Sequence, residues 1–367
     1  MLPLKISKLQ VKNFRNLDEE IIEFSNGINC IFGENGNGKT NILEALYFLI
    51  KRKSFRKNAS FPQILGIDGE NTEISFQSLF TDEDTSEAYT YSGKLNENGH
   101  AWFYQGKSTS KKLEIGIVFI SPFDSQGFHL SSSQRRTWID DHLGQLDKEY
   151  KKALSRFTKS LRFRNKLLSQ KPSQFQKQIN AIDEEMADNS IFLTQKRLAF
   201  LEDLRPFVRE SFKNLFSTEH DLEIMLDTKI TNMNRDFYLD MCQRNREKDI
   251  IIGHTSYGIH KDDYVLLFDG LNSFDYCSLG QQKMSYLSLL FAYIELFRYK
   301  FNSFPIVLLD DVSGELDKLR WRRLVEYLKN KNFQVLITTA NDSFKEVLDT
   351  IESANKLLVS SGIVQKV

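Results

Sequence analysis

Three adjacent runs decide how this chain is read: Ile28-Asn-Cys-Ile-Phe32, then Gly33-Glu-Asn-Gly-Asn-Gly-Lys39-Thr40, then Asn41 to Ile50. The middle run fits G-x-x-x-x-G-K-[ST], the phosphate-binding P-loop. By composition alone, roughly one chain in a hundred of this length would carry the pattern by accident. Its surroundings raise the odds. The apolar residues before it read as a buried strand, and Ile42, Leu43, Leu46, Leu49 and Ile50 follow at helical spacing. Strand, glycine loop and helix are what phosphate binding requires. Gly33, Gly36 and Gly38, with Glu34, Asn35 and Asn37 between them, let the backbone curl so that several N–H groups face one anion. The helix N-terminus adds partial positive charge. Lys39 is placed to reach the β- and γ-phosphates of ATP, and the Thr40 hydroxyl to ligate Mg²⁺. The competing reading is a glycine turn carrying an exposed lysine.

A second motif settles that competition. Phe304-Pro-Ile-Val-Leu-Leu-Asp310-Asp311 is an apolar run ending in two acids, the Walker B pattern. Ile306 to Leu309 read as a buried parallel strand. Asp310 emerges at its carboxyl end, where open α/β sheets bind ligands, and would hold Mg²⁺ directly or through water. Asp311 would orient or deprotonate the attacking water. Some 25 residues upstream, Ser278-Leu-Gly-Gln-Gln-Lys283 precedes a helical repeat of Met284, Leu287, Phe291, Ile294 and Phe297. Ser278 and Gly280 therefore stand at a second helix start suited to an anion.

Bulk properties bound the rest. The 367 residues suffice for two domains, or for one large domain with an insertion. Lys+Arg and Asp+Glu both total 49, so any basic surface is local. The three cysteines, Cys30, Cys242 and Cys277, form no close pair, which argues against a disulfide framework or zinc site and for a reducing, cytoplasmic setting. No run approaches a membrane span, and Met1 to Lys5 lack a signal-peptide pattern.

In order, residues 4–32 alternate apolar and polar as strands do, with Arg15 just upstream of the phosphate loop as a possible nucleotide contact or a surface residue. The run Lys51-Arg-Lys-Ser-Phe-Arg-Lys57 reads either as a DNA-facing patch or as a helix C-terminus. Residues 72–120 read as strands and hairpin turns. From about 131 to 215 the pattern is helical, with breaks predicted near 171–174 and 200–201. On the helix at 148–171, Lys148, Lys151, Lys152, Arg156, Lys159, Arg162, Arg164, Lys166 and Lys171 stand against a single acid, Glu149. That is a phosphate-tracking surface, or a solvated face balanced by acids elsewhere. Gly258-Ile-His-Lys-Asp-Asp263 lacks the spacing of a metal site and reads as a packed loop.

The order of P-loop, Ser-Leu-Gly-Gln-Gln, Leu-Leu-Asp-Asp and Gly-Glu-Leu-Asp (residues 314–317) resembles the ABC-type ATPases of the SMC and RecF class. Val11-Lys-Asn-Phe-Arg-Asn16, Ser54-Phe-Arg56, Ser121-Pro122 with Gln134-Arg-Arg-Thr-Trp-Ile-Asp140, Leu161-Arg-Phe-Arg-Asn165 and Gly258 to Asp263 look like the RecF family in particular. Ile259 and Leu279 depart from that family's usual Pro and Arg.

The resemblance implies an α/β fold: an ABC-type ATPase head with a P-loop mixed sheet, residues 1–123 plus 216–367, and an inserted α-helical lobe, 124–215. It implies ATP sandwiched in a homodimer, with Ser278, Gly280 and Gln281 on the γ-phosphate in trans and Asp317 at the subunit interface. It implies slow, DNA-stimulated ATPase activity, with Asp310, Asp311 and Lys39 as the catalytic set. The family binds DNA at gaps and single-strand/double-strand junctions, helps RecO and RecR load RecA, and is tied to recombinational repair and the SOS response. Candidate DNA contacts are Arg56, Lys151, Lys152, Arg156, Lys159 and Arg162. Competing expectations are an SMC-like structural clamp, and a transporter ATPase whose characteristic histidine is replaced here by Thr338-Thr339.

Overall fold

The computed structural model describes residues 3–17, 19, 21–56, 59–66, 72–121, 123–312, 316–331, 333–340, 346, 348 and 351–367. Of the motifs above, Lys57, Pro122 and residues 313–315 lie outside these. The chain divides into two compact units, residues 1–124 with 297–367, and residues 125–296.

The first unit starts with β1 (Leu4–Lys12), β2 (Ile21–Glu23), β3 (Ile28–Phe32), α1 (Lys39–Lys51), α2 (Phe61–Ile64), β4 (Ile74–Asp82), β5 (Ala88–Asn96), β6 (Gly99–Tyr104), β7 (Lys107–Ser108) and β8 (Ile117–Ile120). The second holds α3 (Asp124–Leu130), α4 (Ser132–Leu146), α5 (Lys148–Gln170), α6 (Phe175–Leu215), β9 (Leu222–Asp227), α7 (Arg235–Ile252), β10 (Asp263–Phe268), β11 (Leu271–Asn272) and α8 (Ser273–Tyr276). The boundary with the rest of the first unit falls within α9 (Leu279–Phe301), and β12 (Ile306–Asp310), α10 (Lys318–Lys329), β13 (Val335–Thr339), β14 (Asn355–Ser360) and β15 (Ile363–Lys366) follow.

Two sheets make the first unit. One, ordered β2-β1-β4-β5-β6-β7, is antiparallel throughout. β4 alternates buried and more exposed residues along its length, as a sheet with one face in the core does. The other is ordered β15-β14-β3-β13-β12-β8 and is parallel except at β15. In β3, β12 and β13 every residue is buried, which explains why they are mostly apolar, Asn29, Asp310, Thr338 and Thr339 being the polar exceptions. Each fully buried Leu, Ile or Val there contributes roughly 1.5–3 kcal/mol. That apolar anchoring holds Asp310, only 8% exposed at the end of β12, in a position its carboxylate would not choose alone. α1 packs on this sheet through Ile42, Leu43, Leu46, Leu49 and Ile50, all buried.

In the second unit, α5 and α6 form a hairpin, and β11-β10-β9 is a small antiparallel sheet. Two features differ from the sequence reading. The break predicted near 201 is absent: α6 runs unbroken for 41 residues despite Pro206, because Phe200, Leu201, Leu204, Val208 and Phe212 continue its buried stripe. The compact unit also reaches well beyond the expected 124–215 lobe. β9 packs on α6 and β10 on α4, burying Leu222, Ile224, Tyr264 and Leu266 within it. Among the described residues, no helix is long and apolar enough to cross a membrane.

Candidate nucleotide-binding site

β3 delivers the chain into the glycine loop, and α1 leaves it. Gly33 has φ +149°, and a Cβ there would sit 2.3 Å from the Val359 carbonyl oxygen. Gly38 has φ +106° and is the N-cap of α1. Lacking a side chain, it offers α1 no cap, so the first-turn amides remain the kind of donor a phosphate takes. Glu34, Asn35 and Gly36 form the exposed rim, while Lys39 is 7% exposed. The Lys39 ammonium donates to the carbonyls of Gly33 (2.7 Å) and Glu34 (2.9 Å), bracing the loop from inside. Burial lowers its pKa, opposed by the negative charges of Asp311 and Asp310.

Asp310 meets the loop from β12. β13 lies between β3 and β12, and Thr338 near its end bonds both Walker B aspartates. The Thr40 hydroxyl donates to the Asp310 carboxylate at 2.8 Å, and the Thr338 hydroxyl donates to the same Oδ1 at 2.7 Å. Thr338 Oγ1 also accepts from the Asp311 N–H at 3.0 Å, fixing a residue whose φ of 45° is left-handed. Burial pushes the Asp310 carboxyl up; the Thr338 and Thr40 hydroxyls oppose this, and the Asp311 charge adds to it. Thr40 Oγ1 and the Asp310 oxygens are paired hard oxygen donors, the chemistry Mg²⁺ takes.

A second tier holds this cradle, and motif reading missed most of it. The Asn16 side chain donates to the Asn37 carbonyl (3.2 Å) and accepts from Asn41 (2.7 Å). The Gly362 N–H in the β14–β15 turn donates to the same Asn37 carbonyl at 2.9 Å. Glu44, wholly buried in α1, accepts from Arg15 Nη2 (2.9 Å) and Nε (3.1 Å) and from Ser54, and pairs with Arg56 at 3.4 Å. Arg56 also donates to Asn41 at 2.8 Å. The candidate nucleotide contact Arg15 and the candidate DNA contact Arg56 are therefore both held against α1. Only the buried acid within an apolar helix face hinted at this, because its partners lie on separate segments.

The Ser278 loop is described within the second unit. The Ser278 N–H donates to Gln281 Oε1 (2.9 Å) and the Gln281 N–H to Ser278 Oγ (3.3 Å), a reciprocal capping box at the start of α9. The buried Gln282 amide donates to the carbonyls of Ser273, Phe274 and Cys277, tying the loop down. Around it Leu279 is 71% and Tyr276 69% exposed. Asp317 of the first unit is exposed and caps α10 through the Arg320 N–H.

The Gly258–Asp263 segment is an ion-pair hub. Arg197 donates to Asp262 (2.8 Å), Asp140 (2.9 Å), Tyr150 (3.0 Å) and the Ile259 carbonyl (3.0 Å). Arg135 makes a two-pronged pair with Asp263 at 2.7 and 2.8 Å. Burial lowers the pKa of His260 to about 4. Among the described residues, no cluster of His, Cys, Asp or Glu is arranged to hold a metal. α5 also sorts its cations. Arg164 is 1% exposed and pairs with Asp183 (2.6 Å) and Asp249 (2.7 Å), so it leaves the basic surface. Lys151, Lys152, Arg156, Lys159 and Arg162 are all exposed.

With the two motifs joined through Thr40, Asp310 and Thr338, comparison with known proteins decides the family. The model of the RecF/RecN/SMC N terminal domain matches residues 5–357. The DNA replication and repair protein RecF of Azobacteroides pseudotrichonymphae is 31% identical over 99% of this chain and 99% of its own. The chain belongs to the RecF family. Among solved structures, the recombination mediator protein RecF-ATP in the RecFOR pathway superposes with a TM-score of 0.85 at 25% identity, covering 100% of this chain and 98% of that one. An Smc head domain from Pyrococcus furiosus shares the fold, with a TM-score of 0.59 at 17% identity over 99% of this chain and 96% of the other. The ABC-type head fold expected for a RecF-family chain is the fold observed.

Proposed function

We propose that this chain is an ATP-dependent DNA-binding protein of recombinational repair and replication restart, acting at single-strand gaps and junctions and aiding RecA loading with RecO and RecR partners. The observation that carries it is the joined cradle, Thr40 to Asp310 to Thr338, in a RecF-family fold. Lys39 would exchange its two carbonyl partners for the triphosphate, and the α1 amides would take phosphate oxygens. Thr40 and Asp310 would hold Mg²⁺, which supplies charge neutralisation to the phosphates. Asp311, with its backbone pinned by Thr338, would orient the water for slow hydrolysis. The reciprocal cap presents the start of α9, with Gly280, as the surface for a partner protomer's nucleotide, rimmed by the exposed Tyr276 and Leu279. Asp317 would lie at that interface.

Sedimentation with and without ATP, repeated on gapped DNA, tests the reading: ATP should convert monomer to dimer. Ser278→Arg is expected to bind ATP yet stay monomeric; a variant that still dimerises would remove the loop from the interface. DNA affinity should fall steeply with salt. Replacing Lys152, Arg156 and Lys159 by glutamine should weaken binding and lessen the log–log salt slope by roughly 0.9 per lost phosphate contact. An unchanged slope would make α5 a solvated face. The Smc head likeness favours a second reading, a structural clamp with incidental ATPase. DNA stimulation of ATPase in the isolated protein would count against it.

A further inference from the structure

Lys148, Lys152, Arg156 and Lys159 recur at three- and four-residue steps along α5, Lys166 follows seven residues on, and all five are exposed. On a helix that spacing makes one stripe, about 27 Å long from Lys148 to Lys166. Phe163 falls on the same stripe, four residues after Lys159 and three before Lys166. It is 47% exposed, whereas Tyr150, Phe157 and Leu168 are buried on the opposite face. The one acid of α5, Glu149, is exposed at the start of the stripe, three residues before Lys152. The nearby α6 acids Glu184 and Asp188 pair with Arg235, and Glu185 accepts from Ser160 at the flank.

A half-exposed phenyl ring among cations suits neither burial nor self-association, since a second copy would bring the same charges against it. The complementary partner is a polyanion that also carries flat aromatic groups. In a duplex those groups have both faces covered by stacked neighbours. Only an unpaired base offers a free face to a side chain. We propose that the α5 stripe binds single-stranded nucleic acid, its cations following the phosphates while an unpaired base stacks on Phe163. This rests on the DNA-binding reading of α5 and adds to it the discrimination of strand state. The cations hold either form; the ring favours the open one. Because the ring is half-exposed, it can be removed without opening a core cavity.

The full chain with ATP should be titrated with a labelled oligothymidylate and with a duplex of equal length. Phe163→Ala is expected to lower oligothymidylate affinity about tenfold and leave duplex affinity unchanged. Phe163→Trp should retain affinity, with its indole fluorescence quenched on binding. Equal loss for both DNAs, or loss for neither, would overturn the stacking role. So would Phe163→Ala abolishing binding to phosphatidylserine vesicles while oligothymidylate binding persists, because the partner would then be an anionic lipid surface. The Lys152, Arg156 and Lys159 variant separates the two failures. If it binds both DNAs as the parent does, the DNA surface itself is misassigned; if it weakens both while Phe163→Ala changes neither, only the ring is.

Discussion

Lys39→Ala should abolish ATP binding and leave the fold in place. The ammonium lies inside the glycine loop, bonded to the Gly33 and Glu34 carbonyls, so in the proposed site it is already held at the loop before a triphosphate arrives. Truncating one partner of a desolvated charge pair costs roughly 2–5 kcal/mol, which is on the order of thirtyfold to several-thousandfold in Kd. The two carbonyls left behind can turn to water at the exposed rim, so the apo protein should melt close to the parent. Calorimetric titration with ATP, and thermal melts with and without it, check this. Ligand at a hundred times its Kd stabilises by about 2.7 kcal/mol, a shift the variant should lose. A variant that keeps its ATP-dependent rise in Tm would show that the triphosphate lies elsewhere.

The second large effect is in stability. Arg197→Ala removes a buried guanidinium that Asp262, Asp140, Tyr150 and the Ile259 carbonyl share. Breaking a buried pair by deleting one partner costs roughly 3–5 kcal/mol, because a charge is stranded. The cost should depend on pH. Burial raises the Asp262 carboxyl above its ordinary range, while the Arg197 charge and the Thr228 hydroxyl bond hold it down. Without Arg197 the carboxyl rises further. A carboxyl raised in the folded state binds its proton more tightly there, so the penalty is full at neutral pH and shrinks as pH falls through the raised value. Urea unfolding at neutral and mildly acidic pH reads this directly. A penalty constant across that range would mean that lost packing, not the stranded carboxylate, dominates.

The same chemistry explains what became of the arginines. Arg15, Arg56 and Arg164 all looked outward in the sequence, and each is committed to an acid: the first two to Glu44, the third to Asp183 and Asp249. Five of the six candidate DNA contacts are exposed on α5; Arg56 is the exception. The Gly258–Asp263 and Gln134–Asp140 signatures, far apart in the chain, meet through Arg135–Asp263 and through Arg197, which bonds both Asp140 and Asp262.

The sequence by itself determined the glycine loop, the apolar strands before it and before Asp310, the helical run from 131 to 215 and the capped start of α9. Each is written in contiguous residues, as period, turn chemistry or motif, so local physics suffices. Tertiary structure alone decided that Thr40 and Asp310, 270 residues apart, share a hydrogen bond. It alone decided that Thr338 clamps both Walker B aspartates, that α6 passes Pro206 unbroken and that β9 and β10 join the helical unit. The reason is that burial and charge pairing depend on which segments meet. With 49 cations and 49 acids, composition allows far more pairings than the fold can hold. Packing chooses among them, turning Arg164 inward and leaving Phe163 out among the lysines.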